Sequence, residues 1–174
     1  VAFGLQLPDS SVGRIGSAWQ LNQPTPNAAN VPAALASATH LAFNEWLANA
    51  TPGLPDWIEL YNRSTTAPVA LQGSYLATTN GLHQLAALSF LAPGGFLQLF
   101  ADEAVGPDHL NFKLAAGGGT LILYDALANE ITRVSYGAQV EGVSQGRLPD
   151  GATNVVSFSG SVSPGAPNYT NSYA

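Results

Sequence analysis

Cysteine and methionine are absent from the sequence, and charged residues are scarce. The absence of cysteine excludes disulfide bonds, thiolate catalysis and zinc sites built on cysteine. Charged residues make up 9% of the 174 positions, lysine occurs only as Lys113, and the net charge is -6. Nucleic-acid binding depends on clustered lysine and arginine that neutralise phosphates, so this composition argues against that function.

Long apolar runs are also missing. The one long uncharged apolar stretch covers residues 85–101, and Pro93, Gly94 and Gly95 interrupt it in the middle. A membrane-spanning helix needs about 20 consecutive apolar residues. The stretch therefore predicts two strands joined by a turn, and we expect no insertion into a membrane.

The first residues of the chain recur much later in it. Residues 1–14 match residues 134–147 without a gap, and after five extra residues in the second copy, residues 26–30 match residues 164–168. Self-similarity at a long offset indicates duplicated units. The identical pairs are Val1 and Val134, Gly4 and Gly137, Gln6 and Gln139, Ser11 and Ser144, Gly13 and Gly146, Arg14 and Arg147, Pro26 and Pro164, Ala28 and Ala166, and Asn30 and Asn168.

The duplication predicts four parts in the chain. Residues 1–30, called here the leading segment, are interpreted as the C-terminal remnant of a preceding repeat. Residues 31–39 are interpreted as a linker, residues 40–168 as one complete domain, and residues 169–174 as a C-terminal tail. A domain of this length buries enough surface to fold without disulfides or metal.

The leading segment needs a partner to be stable. Residues 1–7 alternate like a strand, and residues 19–21 are a second, shorter candidate. Two strands separated from their sandwich are marginally stable in water. We therefore predict that residues 1–21 pair with an exposed sheet edge, either of the complete domain or, in a homodimer, of a neighbouring molecule.

From His40 onwards, short runs of strand-forming residues alternate with clusters of Gly, Pro and Asn. This pattern is typical of an all-β sandwich or barrel. In residues 56–62, strict alternation places Ile58 and Leu60 on one face, which predicts a central strand with bulky residues on both faces. Strands are predicted at residues 40–48, 56–62, 67–71, 74–79, 83–90, 96–101, 111–115, 120–125, 130–137, 143–147 and 153–159.

An ordered set of segments resembles the successive signatures of the lamin tail domain family. It begins with Leu-Ala-Phe-Asn-Glu-Trp at residues 41–46 and Asp-Trp-Ile-Glu-Leu-Tyr-Asn at residues 56–62, and it closes with Ser-Pro-Gly-Ala-Pro-Asn at residues 163–168. The intervening segments are residues 71–76, 93–97, 109–114, 124–125, 136–139 and 144–151. The resemblance implies an immunoglobulin-like β-sandwich. It also implies a non-catalytic module, which in bacteria accompanies secreted or surface proteins and often lies beside hydrolytic domains.

The search for chemistry yields no catalytic residue. His40, His83 and His109 are far apart and lack metal-ligand spacing. Asp102, Glu103 and Asp108 share one loop, which makes them a candidate site for calcium, although the spacing differs from an EF-hand and a solvated acidic loop is the simpler interpretation.

Trp57, Glu59 and Tyr61 share one strand face. Aromatic rings beside a carboxylate can form a platform for sugars, whereas the alternative is ordinary packing of large side chains. The favoured hypothesis is an interaction or spacer module that contacts a protein partner or neighbouring domains of a larger, extracellular or surface bacterial protein. The alternative hypothesis is a carbohydrate-binding accessory module of an extracellular hydrolase.

Overall fold

The computed structural model describes residues 1–171 and is built almost entirely from strands. One 3-10 turn covers Ala38–His40, and no α-helix occurs in this range. Within the same range, no helix has the length and apolarity to cross a membrane. The strands are β1 (Ser11–Ile15), β2 (Ala18–Gln23), β3 (Val31–Pro32), β4 (Leu41–Leu47), β5 (Asp56–Asn62), β6 (Val69–Ala70), β7 (Tyr75–Thr78), β8 (Gly81–Gln84), β9 (Phe90–Leu91), β10 (Phe96–Ala101), β11 (His109–Leu110), β12 (Gly118–Tyr124), β13 (Glu130–Gly137), β14 (Ser144–Arg147) and β15 (Val155–Phe158).

Two sheets pack face to face around one core. The larger sheet has the strand order β11-β10-β5-β4-β14-β15, and the smaller has the order β13-β12-β7-β8. Strands β6 and β9 form a separate pair, and β1, β2 and β3 form a small sheet within residues 11–32. The fold is the predicted immunoglobulin-like β-sandwich.

Strand β5 explains why the core lies where it does. It pairs with β4 on one side and β10 on the other, so the prediction of a central strand is confirmed. Ile58 and Leu60 are completely buried in the same cluster as Leu121 and Leu123 of the smaller sheet. Period-two alternation then directs Glu59 to the outer face of the larger sheet.

Strand β4 changes face at a bulge. Phe43 lies opposite Leu60 and Glu45 lies opposite Glu59, so Asn44 is the extra residue. Without the bulge, Glu45 would follow Phe43 into the core. With it, Glu45 faces outwards and the next residue, Trp46, takes the place in the core.

Three strand predictions were wrong. Residues 1–7 form no strand, residues 83–90 are interrupted between β8 and β9, and residues 111–115 are irregular. Apolar and polar residues alternate over residues 111–115 because Phe112 and Leu114 are buried. The backbone N–H of Asn111, however, donates to the His83 side chain rather than to a neighbouring strand. Alternating burial therefore occurs here without sheet pairing. The other interrupted run turns at Leu88, whose φ of 52° lies in the left-handed region.

The residues predicted as a linker are bound to the domain. Strand β3 pairs with β2, and the backbone N–H of Ala36 donates to the carbonyl of Pro68 at 2.8 Å. The run at residues 85–101 contains β9, a turn at Gly94 and β10, which confirms the prediction of two strands and a turn.

We expect Ile58→Ala or Leu60→Ala to lower the free energy of unfolding by about 2 to 5 kcal/mol, because each leaves a cavity in the core. Leu127, which is 83% exposed, supplies the control. Leu127→Ala should change stability by no more than about 0.5 kcal/mol. Chemical denaturation of the three variants measures the difference, and equal midpoints would contradict the strand register.

Candidate interaction site

Two glutamates are buried side by side on the outer face of the larger sheet. Glu45 on β4 lies directly opposite Glu59 on β5, and both are 0% exposed. Like charges directly opposite each other across two strands are destabilising. Burial of a carboxylate is also unfavourable unless hydrogen-bond donors surround it. The pair therefore requires a covering layer that supplies donors.

Residues 159–168, called here the closing segment, provide much of that layer. The backbone N–H of Ser163 donates to both carboxylate oxygens of Glu45, at 3.4 and 3.3 Å, and its hydroxyl donates to Oε2 at 3.3 Å. The backbone N–H of Gly165 donates to Oε2 of Glu59 at 2.6 Å. The hydroxyl of Ser144 on β14 also donates to Glu45. The two carboxylates thus fasten the closing segment onto the sheet.

The bulge residue Asn44 links this network to the turn before β15. Its Nδ2 donates to Oε1 of Glu59 at 2.9 Å and to Oδ1 of Asp150 at 3.0 Å, while its Oδ1 accepts from the N–H of Gly151. The N–H of Asn168 donates to the same oxygen of Asp150 at 2.9 Å. One side chain at the bulge therefore connects two strands, a turn and the closing segment.

Burial changes the acidity of both glutamates. It raises the pKa of Glu59 to about 7, against the opposing effect of the hydrogen bonds from Asn44 and Gly165. The neighbouring charges of Glu45 and Asp150 raise the pKa of Glu59 further. Burial also raises the pKa of Glu45. Acid–base catalysis also uses paired carboxyl groups with raised pKa values, but this pair is covered and holds the closing segment in place.

The predicted sugar platform is not an open surface in the structure. Trp57, Glu59 and Tyr61 share the outer face as the alternation indicated, but Glu59 lies beneath the closing segment. Tyr61 stacks on Phe96 with ring centroids 4.7 Å apart. Trp57 is 5% exposed and lines a pocket of about 370 Å³ on this face.

The carboxylates of the acidic loop lie close to His109 and Lys113. Nδ1 of His109 lies 2.9 Å from Asp102, its Nε2 lies 3.8 Å from Asp108, and Lys113 lies 3.6 Å from Glu103. The hydrogen bond to Asp102 raises the pKa of His109. Across residues 1–171, no group of three or more His, Cys, Asp or Glu side chains is arranged to hold a metal. Each of the three candidate calcium ligands thus lies within 4 Å of a nitrogen of His109 or Lys113.

The leading segment contacts the complete domain just before β9. The N–H of Gly4 donates to the carbonyl of Ala87 at 2.9 Å, and the N–H of Phe90 donates to the carbonyl of Leu5 at 2.9 Å. The N–H of Leu5 also donates to the hydroxyl of Ser89 at 3.0 Å. Residues 4–5 therefore pair with residues 87–90 through the backbone.

A second, smaller core reinforces this contact. Leu21 from β2 is buried with Leu88 and Phe90 of the complete domain, and Leu7 and Val12 pack against them. The leading segment is thus held by apolar contacts as well as by hydrogen bonds. Sequence reasoning missed Leu88 and Phe90 as its partners, because a run of alternating residues does not reveal which surface it will contact.

The buried pair predicts an unusual dependence of stability on pH. Between pH 4.5 and about 7, the folded protein keeps a proton on Glu59, whereas the unfolded chain, in which the pKa of this residue is 4.5, releases it. The stabilisation is complete below that lower pKa and is lost as the pH rises through about 7. We therefore expect the melting temperature to fall between about pH 5 and pH 8.

The Glu59→Gln variant isolates this effect. Its melting temperature should vary less with pH than that of the wild type, because glutamine cannot take up or release a proton. The contributions of Glu45 and His109, whose pKa values are also raised, remain in both proteins. The variant should be less stable at low pH by about 1 to 3 kcal/mol, because the new amide group faces the donors Asn44 and Gly165. Parallel melting curves across the pH range would contradict this assignment.

Comparisons with known proteins agree with this architecture. The family model described as Lamin Tail Domain matches residues 35–138, which is more than half of the chain. Searches of curated proteins and of solved structures gave no match. Members of the family are β-sandwich domains that are generally non-catalytic and take part in interactions. The chain belongs to the lamin tail domain family.

Proposed function

We propose that this chain is a non-catalytic interaction or spacer module of a larger bacterial protein that is secreted or held at the cell surface. The observation that carries the proposal is the contact between the leading segment and the complete domain. Residues matched to the end of one repeat lie directly on the next repeat. A module of this kind positions its neighbours in the polypeptide and leaves its remaining surface for partners.

The connection between the two parts supports a spacer with a defined geometry. The N–H of Ala33 donates to the carbonyl of Leu21 at 2.9 Å, and Ala36 bridges to Val69. The segment between β2 and the complete domain is therefore bonded to both of them. A flexible linker rich in Gly and Ser would leave the distance between its two ends variable.

The buried carboxylates support a role without catalysis. Glu59 has a pKa in the range useful for proton transfer, but its oxygens accept hydrogen bonds from Asn44 and Gly165 in a covered site. A general base must reach the proton that it removes from a substrate. The geometry of this pair therefore suits attachment of the closing segment.

Gly4→Val tests the docking contact. A Cβ atom at Gly4 would lie 2.0 Å from Oγ of Ser89 and 2.8 Å from the carbonyl oxygen of Ala87, so the leading segment should detach. We expect the amides of Leu5 and Phe90 to exchange with solvent at least about tenfold faster in this variant. Hydrogen exchange followed by mass spectrometry or NMR measures the change.

Gly137→Val is the matched control. Gly137 occupies the equivalent place in the repeat, and a Cβ atom there meets nothing within 4 Å. Exchange at Leu5 and Phe90 should therefore stay at the wild-type rate. Equal exchange in the wild type and both variants would show that residues 4–5 are not held, and the spacer proposal would lose its basis.

Carbohydrate binding is the second candidate, and one observation favours it. Trp57 lines the pocket on the outer face together with Phe100 and Pro164, so an aromatic edge is near the surface. If the spacer assignment holds, soluble polysaccharides should leave the tryptophan fluorescence unchanged. A saturable change that disappears in Trp57→Phe would favour the accessory-module hypothesis instead.

A further inference from the structure

The complete domain shows what a closing segment binds. Besides Asn44, four donor groups from β14 and the closing segment point at the two buried carboxylates: the Ser144 hydroxyl, the Ser163 N–H and hydroxyl, and the Gly165 N–H. We call these groups the carboxylate cradle. Glu45 and Glu59 reach it from β4 and β5, and β4 also pairs with β14 along the sheet. Within the complete domain, the carboxylate cradle is therefore filled by the two glutamates of β4 and β5.

The leading segment contains the same turn as this cradle. The N–H of Ala28 donates to the carbonyl of Thr25 at 3.1 Å, just as Ala166 donates to Ser163 at 3.0 Å. Asn27 has a φ of 60° and its counterpart Gly165 a φ of 81°. A type II turn requires this left-handed conformation at its third residue, and proline, here Pro26 and Pro164, is common at its second.

The hairpin before the turn also recurs. Strands β1 and β2 pair as β14 and β15 do, and Asn30 Nδ2 donates to the carbonyl of Arg14 at 3.0 Å. In the complete domain, Asn168 Nδ2 donates to the carbonyl of Arg147 at 2.8 Å. Residues 11–30 thus share with residues 144–168 the strand pairing, the turn and the asparagine hydrogen bond.

Within residues 1–171, no carboxylate accepts a hydrogen bond from Ser11, Thr25 or Asn27, the counterparts of the cradle residues in the leading segment. The hydroxyl of Ser11, the counterpart of Ser144, lies near the carbonyls of Asn22 and Gln23 instead, at 3.5 and 3.3 Å. Thr25 and Asn30 are partly or fully exposed, whereas their counterparts Ser163 and Asn168 are buried. The first copy is therefore less covered at these two positions than the complete domain, and its serine bonds within its own hairpin.

Among the described residues, no strand pairs with the outer edge of β1 either. Strand β14 lies between β4 and β15, whereas β1 lies at the edge of its sheet. The apolar residues at the start of the leading segment are also more exposed than their counterparts in the complete domain. Val1 is 73% and Phe3 is 54% exposed, while the corresponding Val134 and Tyr136 are each 9% exposed in the core.

We infer that residues 11–30 bind an antiparallel pair of strands that carries two glutamates in register, the counterpart of β4 and β5, supplied by an upstream copy of the repeat. The counterpart of β4 pairs with the open edge of β1. Gln145 and Gly146 lie opposite Trp46 and Glu45 in the complete domain. The equivalent positions, Val12 and Gly13, therefore receive the tryptophan and the glutamate of the incoming strand.

One residue of the leading segment protects this edge while it is empty. Asn22 lies where the complete domain has the buried Phe158. With its amide oriented to satisfy both atoms, Asn22 accepts a hydrogen bond from the N–H of Gly13 at 2.9 Å. The incoming strand would provide a new partner for that N–H in place of this side chain.

The inference rests on the proposed spacer function, and a fused chain tests it. Residues 40–133 are placed directly ahead of Val1, so that the join repeats the natural order in which residue 133 precedes Val134. We expect the amides of residues 11–15 and 25–28 to exchange at least about tenfold more slowly than in the original chain. A second cooperative unfolding transition should accompany this protection.

The control is the same fused chain in which only the added copy carries Glu45→Ala and Glu59→Ala. Protection of residues 11–15 and 25–28 should be lost in the control. Equal exchange in all three proteins, or equal protection in the control, would overturn the inference. The inference would also be overturned if the added residues 40–133 stayed unfolded, since residues 1–30 would then fail to complete the added domain. Exchange at Phe90 in the original chain reports the docking contact separately, and thus the spacer proposal by itself.

Discussion

The burial of Glu45 and Glu59 opposite each other is the constraint on which the rest of the domain depends. Two adjacent carboxylates away from water are stable only if donors meet their oxygens or a proton neutralises one of them. The donors come from β14, from the bulge in β4 and from the closing segment. The larger sheet is therefore covered on both faces, by the core on one side and by an irregular third layer on the other.

Much of the fold could be predicted because it depends on local patterns. The alternation in residues 56–62 identified β5 and its two faces, and the ordered segments identified the family. The bulge at Asn44 could not be predicted in the same way, since it exists only relative to the partner strand. Residues 1–7 resemble β13, but β13 forms its strand against β12 and the leading segment has no such neighbour among the described residues.

The candidate site was harder to predict than the fold. Glu59 was recognised as unusual because it stands between two aromatic residues, but its partners lie far away in the sequence. Gly165 is separated from it by 106 positions, and Ser163 from Glu45 by 118. The acidic loop was easy to notice, yet its charges pair with His109 and Lys113. The repeat was the better guide, because it marked Gly146 and Asn168, two positions at which chain segments approach closely.

The reach of the closing segment also bears on where this folding unit stops. The family match ends at residue 138, but β14, β15 and the donors at Ser163 and Gly165 all follow it. A fragment trimmed to the matched region would expose the edge of β4 and would remove the donors Ser144, Ser163 and Gly165 from Glu45 and Glu59. A fragment that keeps these contacts therefore extends to at least Asn168, about thirty positions beyond the end of the family match.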